Sequence, residues 1–139
     1  MILLDTNVIS ELMRPAPAPA VVSWVAENRH QLALSTVTVA ELAYGIESLP
    51  DGARQTTLRI LVQRLVATYA DRMLAFTERT AWQYGELMAQ ARSRGRAMSV
   101  PDGMIAAVAI TNGCDLATRN RRDFEVLALR LVDPWSKAS

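Results

Sequence analysis

The chain opens MILLDTNVIS, residues 1–10, and the reading of its fifth residue decides the fold. Ile2, Leu3 and Leu4 make a short continuous apolar run of the kind found in a parallel strand buried on both faces. Asp5 then sets a carboxylate at the end of that run, followed by Thr6 and Asn7. Beyond it Val8, Ile9, Leu12 and Met13 share one helical face, and Pro15, Pro17 and Pro19 forbid a continuing helix. A buried strand that passes through an acid into a helix suits an open α/β sheet, in which ligands collect where strands end at their carboxyl side.

The same alternation runs along the chain. AVVSWVAEN reads as a helix carrying Val21, Val22, Trp24 and Val25, and QLALS as a buried strand ending at Ser35. In TVTVAELAYGIESL, Val39, Leu42, Ala43 and Ile46 recur at helical spacing, and Thr38 with Glu41 matches a capping box. After Pro50 and Gly52 a long amphipathic helix presents Leu58, Leu61, Val62, Leu65, Val66 and Tyr69. MLAF reads as a strand. Thr77 caps a helix whose inner face holds Ala81, Tyr84, Leu87, Met88 and Ala91, with Trp82 expected in the core. SVPDGMIAAVAITNG restarts a helix at Pro101 and stops it at Asn112 and Gly113. DLAT is a strand, RRDFEVLA a helical turn and LRLVD a last strand. Five short apolar strands alternating with helices, without repeat or internal linker, predict one α/β domain over residues 1–139, its sheet mostly parallel and covered on both faces.

Composition narrows the chemistry. The 139 residues suffice for one core, half of them are hydrophobic, and no apolar run approaches the roughly 20 residues that cross a bilayer. A carboxylate at position 5 interrupts what would otherwise be the apolar stretch of a secretory signal, so a cytoplasmic protein is expected. Cys114 and His30 are each the sole residue of their type, which excludes an internal disulfide and leaves a zinc site or a Cys–His or Ser–His–Asp nucleophile without parts. His30 itself reads as a solvated loop residue. Catalysis, if the chain performs any, falls to carboxylates.

Asp5 ends the first strand, Glu41 lies in the first turn of the helix after the second, Asp102 opens the helix of PDGMIAA, and Asn120 and Asp123 follow the strand DLAT. Each admits a purely structural reading as a cap or helix start. Capping does not, however, require them all to fall at strand-to-helix junctions. Clustered carboxylates raise one another's pKa, a cost that a hard divalent cation relieves, and an oxygen-only donor set favours Mg²⁺ or Mn²⁺ over Zn²⁺. Such an ion would lower the pKa of a bound water and neutralise a phosphodiester. The net charge of +1 gives no global pull toward nucleic acid. Two basic clusters, Arg92, Arg94 and Arg96, and Arg119, Arg121 and Arg122, are candidates to hold the neighbouring phosphates of a polyanion or are solvated ends. Trp24, Trp82 and Trp135 are candidates to stack bases, with core packing the default for Trp82 on its apolar face.

LLDTNVISEL, TVAELAYGI, PDGMIAAVA and LATRNRRDF, in that order across nearly the whole chain, resemble the PIN-domain ribonucleases, in particular the VapC-type toxins of toxin–antitoxin pairs and their FitB-like branch. The resemblance implies a three-layer α/β/α sandwich with a five-stranded parallel sheet, a homodimer, and Mg²⁺- or Mn²⁺-dependent endonucleolytic cleavage of RNA. It carries Asp5, Glu41 and Asp102 onto the family's metal-binding acids. Its fourth acidic position is Asn120 here, which adds no negative charge, and Asp123 stands three residues on as a substitute. Thr6 and Thr118 are candidate hydroxyl partners that fix carboxylate or water positions, and Asn7 is a candidate for similar supporting work around the acids. The family also implies a small antitoxin of the VapB/FitA kind, which lays a peptide segment with a basic residue across the acidic pocket. The apolar faces of the first helices and of the helix bearing Leu58, Leu61 and Leu65 either receive it or are core.

Two other readings remain open on residues alone. A phosphotransfer domain would use Asp5 as phosphoacceptor, but such sites resemble families that pair the phosphoryl group with a lysine, and the only lysine is Lys137. A non-catalytic binding or regulatory module would keep the pocket and lose the chemistry, which the amide at position 120 allows.

Overall fold

Ile2–Leu4 forms strand β1, and in the computed structural model, which describes residues 1–136, it is the middle strand of the sheet. The remaining elements are α1 (Thr6–Leu12), α2 (Pro19–Asn28), β2 (Leu32–Ser35), α3 (Thr36–Glu47), α4 (Ala53–Thr68), β3 (Met73–Leu74), α5 (Glu78–Ser93), α6 (Val100–Thr111), β4 (Asp115–Ala117), α7 (Arg121–Phe124) and β5 (Leu131–Val132). Single 3₁₀ turns at Arg29–Gln31 and Ala70–Arg72 lead into β2 and β3. His30, in the first of these turns, is exposed. Lys137 lies outside the described residues.

All pairings are parallel, in the order β3-β2-β1-β4-β5. The chain therefore runs outward from β1 through β2 to β3, then returns to the other side of β1 to lay down β4 and β5. Strand order reverses beside β1, and a crevice opens there at the carboxyl ends of β1 and β4. Asp5 is the first residue beyond β1, and its backbone N–H donates to the Ala117 carbonyl of β4 at 2.9 Å.

Side-chain alternation along the strands separates two cores. Leu3, Ala33 and Leu116 pack with Leu87, Ile105, Ala106 and Phe124 on one side, and Leu4, Leu32, Leu34 and Ala117 pack with Val8, Ile9, Val21, Leu42 and Val62 on the other. Leu3 and Leu4 are both fully buried, and each such side chain contributes about 1.5–3 kcal/mol. The three-layer sandwich expected from the sequence is the observed architecture, with α5, α6 and α7 on one face and α1, α2 and α4 on the other. α3 reaches both cores through Val37 and Leu42.

The differences from the sequence reading lie at edges and caps. The strands expected at MLAF and LRLVD shorten to two residues each, because β3 and β5 are edge strands with a partner on one side only. Helix α3 starts earlier than the Thr38–Glu41 pattern implied. Ser35 caps it, its hydroxyl accepting from Thr38 N at 3.1 Å, which leaves the Glu41 carboxylate free for other contacts. On α5, Thr77 is the cap as expected, and Leu87 and Ala91 are buried with Tyr84 and Met88 packed against the core, but Thr80 rather than Ala81 completes the inner face. Trp82 sits about 200° around the helix from Thr80 and is 78% exposed, and Ala81 is also exposed.

Candidate active site

Asp5 is pinned at two points. Its Oδ1 accepts from the Thr6 backbone N–H at 2.8 Å and its Oδ2 accepts from the Thr118 hydroxyl at 2.7 Å. Asp5 is thus the cap of α1, bonded to the first helical N–H rather than the second or third that caps usually engage. Capping and pocket-lining are not alternatives here, since one oxygen does the first and the carboxylate still faces the crevice. Thr118, fully buried one residue past β4, also accepts from Asn120 N at 3.0 Å and from Asn7 Nδ2 at 3.3 Å. A hydroxyl that donates to Asp5 has only lone pairs left for Asn7, so the amide nitrogen must face it and Asn7 Oδ1 points elsewhere. That oxygen is buried and has no hydrogen-bond partner in the structure.

Glu41 arrives from the middle of α3, and its Oε1 accepts from the Thr6 hydroxyl at 2.7 Å. Thr6 thereby links the two acids, with its backbone on Asp5 and its side chain on Glu41, and Thr38 Oγ1 stands 3.1 Å from the same hydroxyl. Asp102 sits in the first turn of α6, where the Ser99 hydroxyl caps the helix by accepting from Asp102 N at 3.3 Å. The helix is held close to α5: a Cβ on Gly103 would lie 2.5 Å from Met88 Sδ and 3.0 Å from Tyr84 Cε1. Gly103 therefore lets α6 approach close enough to bring Asp102 into the crevice.

Asp5, Thr6, Asn7, Glu41, Asp102 and Asn120 line one hollow of about 500 Å³. Burial pushes the Asp5 carboxyl up from 3.8 to about 6, against the hydrogen bonds from Thr118 and Thr6, and the charges of Asp102 and Glu41 add to the rise. Burial also raises Asp102, opposed by Ser99 and assisted by the charge of Asp123. The hollow thus holds negative charge that nothing within its acidic part neutralises.

Not every residue singled out from sequence lies there. Asp123 is exposed on α7, outside the lining, and acts on the hollow only through its field at Asp102. Of the six arginines in the two basic clusters, Arg119 alone lines the hollow. Arg94 Nη1 donates to the Val126 carbonyl at 2.6 Å, and Arg96 donates to the Arg122 carbonyl at 2.9 Å and pairs with Glu125. Those two tie the loop before α6 to the α7 region. Three residues that sequence reasoning passed over, Ser10, Glu11 and Arg14, also line the hollow, together with Trp135, which the sequence offered as a candidate to stack bases. The available signal was Glu11, a charged residue on the apolar arc of α1 with an arginine three positions on.

Among the described residues no group of three or more His, Cys, Asp or Glu side chains is gathered tightly enough to hold a metal ion by itself. The donors present nevertheless suit a hard cation. They are oxygens throughout, two are carboxylates raised by burial, and the open cavity leaves room for the waters and substrate phosphate that complete a Mg²⁺ shell. The unpartnered Asn7 Oδ1 offers a further acceptor in the same wall.

The PIN domain family model matches residues 2–129. This chain is a PIN-domain protein. Several named proteins resemble it over nearly full length. The plasmid stability protein StbB of Pseudomonas syringae pv. tomato is 44% identical over 97% of this chain and 99% of its own. The VapC ribonuclease Y4jK of Sinorhizobium fredii is 40% identical over 99% and 100%, and the toxin FitB of Neisseria gonorrhoeae is 37% identical over 97% and 99%. Among solved structures, a chain of FitAB bound to an IR36 DNA fragment superposes with a TM-score of 0.92 at 34% identity, covering 100% of this PIN domain and 99% of that chain.

Proposed function

We propose that this PIN domain is a divalent-cation-dependent endoribonuclease, the toxin of a type II toxin–antitoxin pair, which hydrolyses RNA phosphodiesters to leave a 3′-hydroxyl and a 5′-phosphate. The observation that carries the reading is the meeting of Asp5, Glu41 and Asp102, from distant parts of the chain, in one hollow at the strand-order reversal. Relatives named VapC ribonuclease and toxin FitB support it.

Asp5, Glu41 and Asp102 would hold Mg²⁺ or Mn²⁺, which when bound acidifies a water and offsets charge on the scissile phosphate. The chain's own residues prepare that arrangement. Thr118 and the Thr6 N–H fix both oxygens of Asp5, so the carboxylate does not swing when substrate enters. Thr6 holds Glu41 Oε1 and leaves Oε2 for the ion. Asn7 and Asn120 line the hollow, where a side-chain amide oxygen would accept a hydrogen bond from a water and so orient it. Incubation of purified protein with a synthetic RNA and Mg²⁺ tests the reading: cleavage is expected from the wild type and not from Asp5→Asn, and equal cleavage by both would refute it.

The partner proposed is an antitoxin protein. A groove between α1 and α4, lined by Leu12, Met13, Leu58, Leu61 and Leu65, shares Ser10 and Arg14 with the hollow. An antitoxin helix seated there has a direct route for a basic side chain into the acids. We further propose a homodimer acting in the cytoplasm. Tyr44 and Trp82, 77% and 78% exposed, are large apolar surfaces that a second copy would cover, and no helix among the described residues is long and apolar enough to cross a membrane. Asn120 sustains a second reading, a non-catalytic PIN module; binding of Mg²⁺ without cleavage of total RNA would favour it.

A further inference from the structure

We propose that Glu11 holds Arg14 and Arg119 as a pair of phosphate-gripping groups in the hollow, so that RNA rests its neighbouring phosphates on the two guanidinium groups while one phosphate meets the acids. The proposal rests on the nuclease reading and adds a binding subsite to it.

Glu11 lies on α1 and is only 6% exposed, and a buried carboxylate is unfavourable unless paired. Its two oxygens do different things. Oε2 accepts from Ala18 N at 2.9 Å and fastens the proline-rich turn ahead of α2. Oε1 accepts from Arg14 Nη1 at 3.2 Å. A glutamine amide oxygen could also accept from Ala18 N, though less strongly than a carboxylate, whereas only the carboxylate has a charge with which to hold a guanidinium. The Ala18 N–H, then Arg14, then the charge of Arg119 hold the Glu11 carboxyl below the usual range, which places Arg119 within the field of Glu11.

Arg119 has a second support, because its guanidinium carbon lies 5.2 Å from the centre of the Trp135 ring. The ring face attracts the cation and holds the guanidinium beside Trp135. Arg119 takes part in none of the ion pairs among the described residues. Arg14 is 65% exposed despite its contact with Glu11. Glu11, Arg14, Arg119 and Trp135 line the same hollow as Asp5, Glu41 and Asp102. A hollow of acids alone would repel a polyanion, whereas two held guanidinium groups supply the fork geometry that phosphate oxygens accept.

The test is binding of a fluorescein-labelled single-stranded RNA of mixed sequence, in EDTA and in the Asp5→Asn background so that the probe is not cut, followed across salt concentrations. Arg14→Ala and Arg119→Ala are each expected to weaken binding about fivefold near 0.1 M salt and to lower the slope against log salt by about 0.7, the signature of one lost phosphate contact on a single strand. Arg64→Ala, an exposed α4 arginine outside the hollow, is expected to leave the slope unchanged. Glu11→Gln supplies the decisive sign. Removing a negative charge tightens RNA binding if Glu11 is only a local charge or a staple, and weakens it if Glu11 positions the arginines. Tighter or unchanged binding by Glu11→Gln, or slopes for Arg14→Ala and Arg119→Ala equal to that of Arg64→Ala, would overturn the proposal. Should Glu11→Gln fail to fold by thermal melt, Arg119→Lys decides, since it keeps charge and loses the stacked fork: binding as weak as Arg119→Ala supports the grip, and wild-type binding overturns it. Cleavage by the otherwise wild-type protein in Mg²⁺ is followed separately, so a failed grip with intact cleavage is distinct from a failed nuclease.

Discussion

The Thr118 hydroxyl donates to Asp5 Oδ2 at 2.7 Å, joining residues 113 positions apart where β1 and β4 end side by side. Without that donor one oxygen of a buried carboxylate has no partner in the protein. Thr118→Val is therefore expected to destabilise the fold by about 1–3 kcal/mol and to impair RNA cleavage, while Thr118→Ser, which keeps the hydroxyl, retains most of both. Urea denaturation beside a cleavage assay checks this, and equal behaviour of the two variants would show the bond to be idle.

The pH dependence of the metal-free protein has a definite sign. Asp5 titrates at about 6 in the fold against 3.8 for an ordinary carboxyl, so the folded state favours its protonated form. The resulting penalty is absent below about pH 4, develops between there and about pH 6, and is complete above, where it amounts to about 3 kcal/mol. Burial shifts Asp102 in the same direction. Asp5→Asn is thus expected to be more stable than wild type at pH 8 in EDTA and to lose that advantage by pH 4. A difference that stays constant across this range would remove the burial account of Asp5.

Much of the site was legible because the polar residues that break the apolar strands and open the helices fall at strand-to-helix junctions, and parallel topology puts those junctions at one edge. Asp5 and Asp102 could be read in this way, and Glu41 was read at the same edge although it stands a turn further into α3 than its sequence pattern implied. Glu11 could not, and Trp135 was legible only as an aromatic ring and not as a support for Arg119, because the contacts of Glu11 with Ala18 and of Trp135 with Arg119 have no fixed sequence spacing. Trp82 misled for a related reason. Its apolar neighbours suggested a core face, but the phase of α5 is set by Thr80, Leu87 and Ala91, a stripe in which a threonine takes the place of an expected hydrophobe. The arginine clusters were legible as positive charge only, since whether a guanidinium meets solvent or a carbonyl depends on the loop it reaches.

Arg96 illustrates that last distinction. Its donors are engaged by the Arg122 carbonyl and Glu125, so Arg96→Ala is expected to lower Tm by a few degrees, on the order of 1 kcal/mol, with no change in the salt slope of RNA binding. A slope reduced by about 0.7 would instead return Arg96 to the RNA interface.

Trp82 carries the dimer proposal. Trp82→Glu removes apolar surface and sets a charge on it without touching the core, so sedimentation is expected to give a dimer for wild type and a monomer for the variant, with the thermal melt of each chain retained. Identical sedimentation of the two would place any self-association elsewhere.

The central claim is that Asp5, Glu41 and Asp102 act as one cation site. Titration of the protein with Mn²⁺, following free ion by electron paramagnetic resonance, measures this without reference to RNA. Wild type is expected to bind with Asp5→Asn, Glu41→Gln and Asp102→Asn each weakening the same site and any pair abolishing it. Three single variants that bind Mn²⁺ as wild type does would contradict the account.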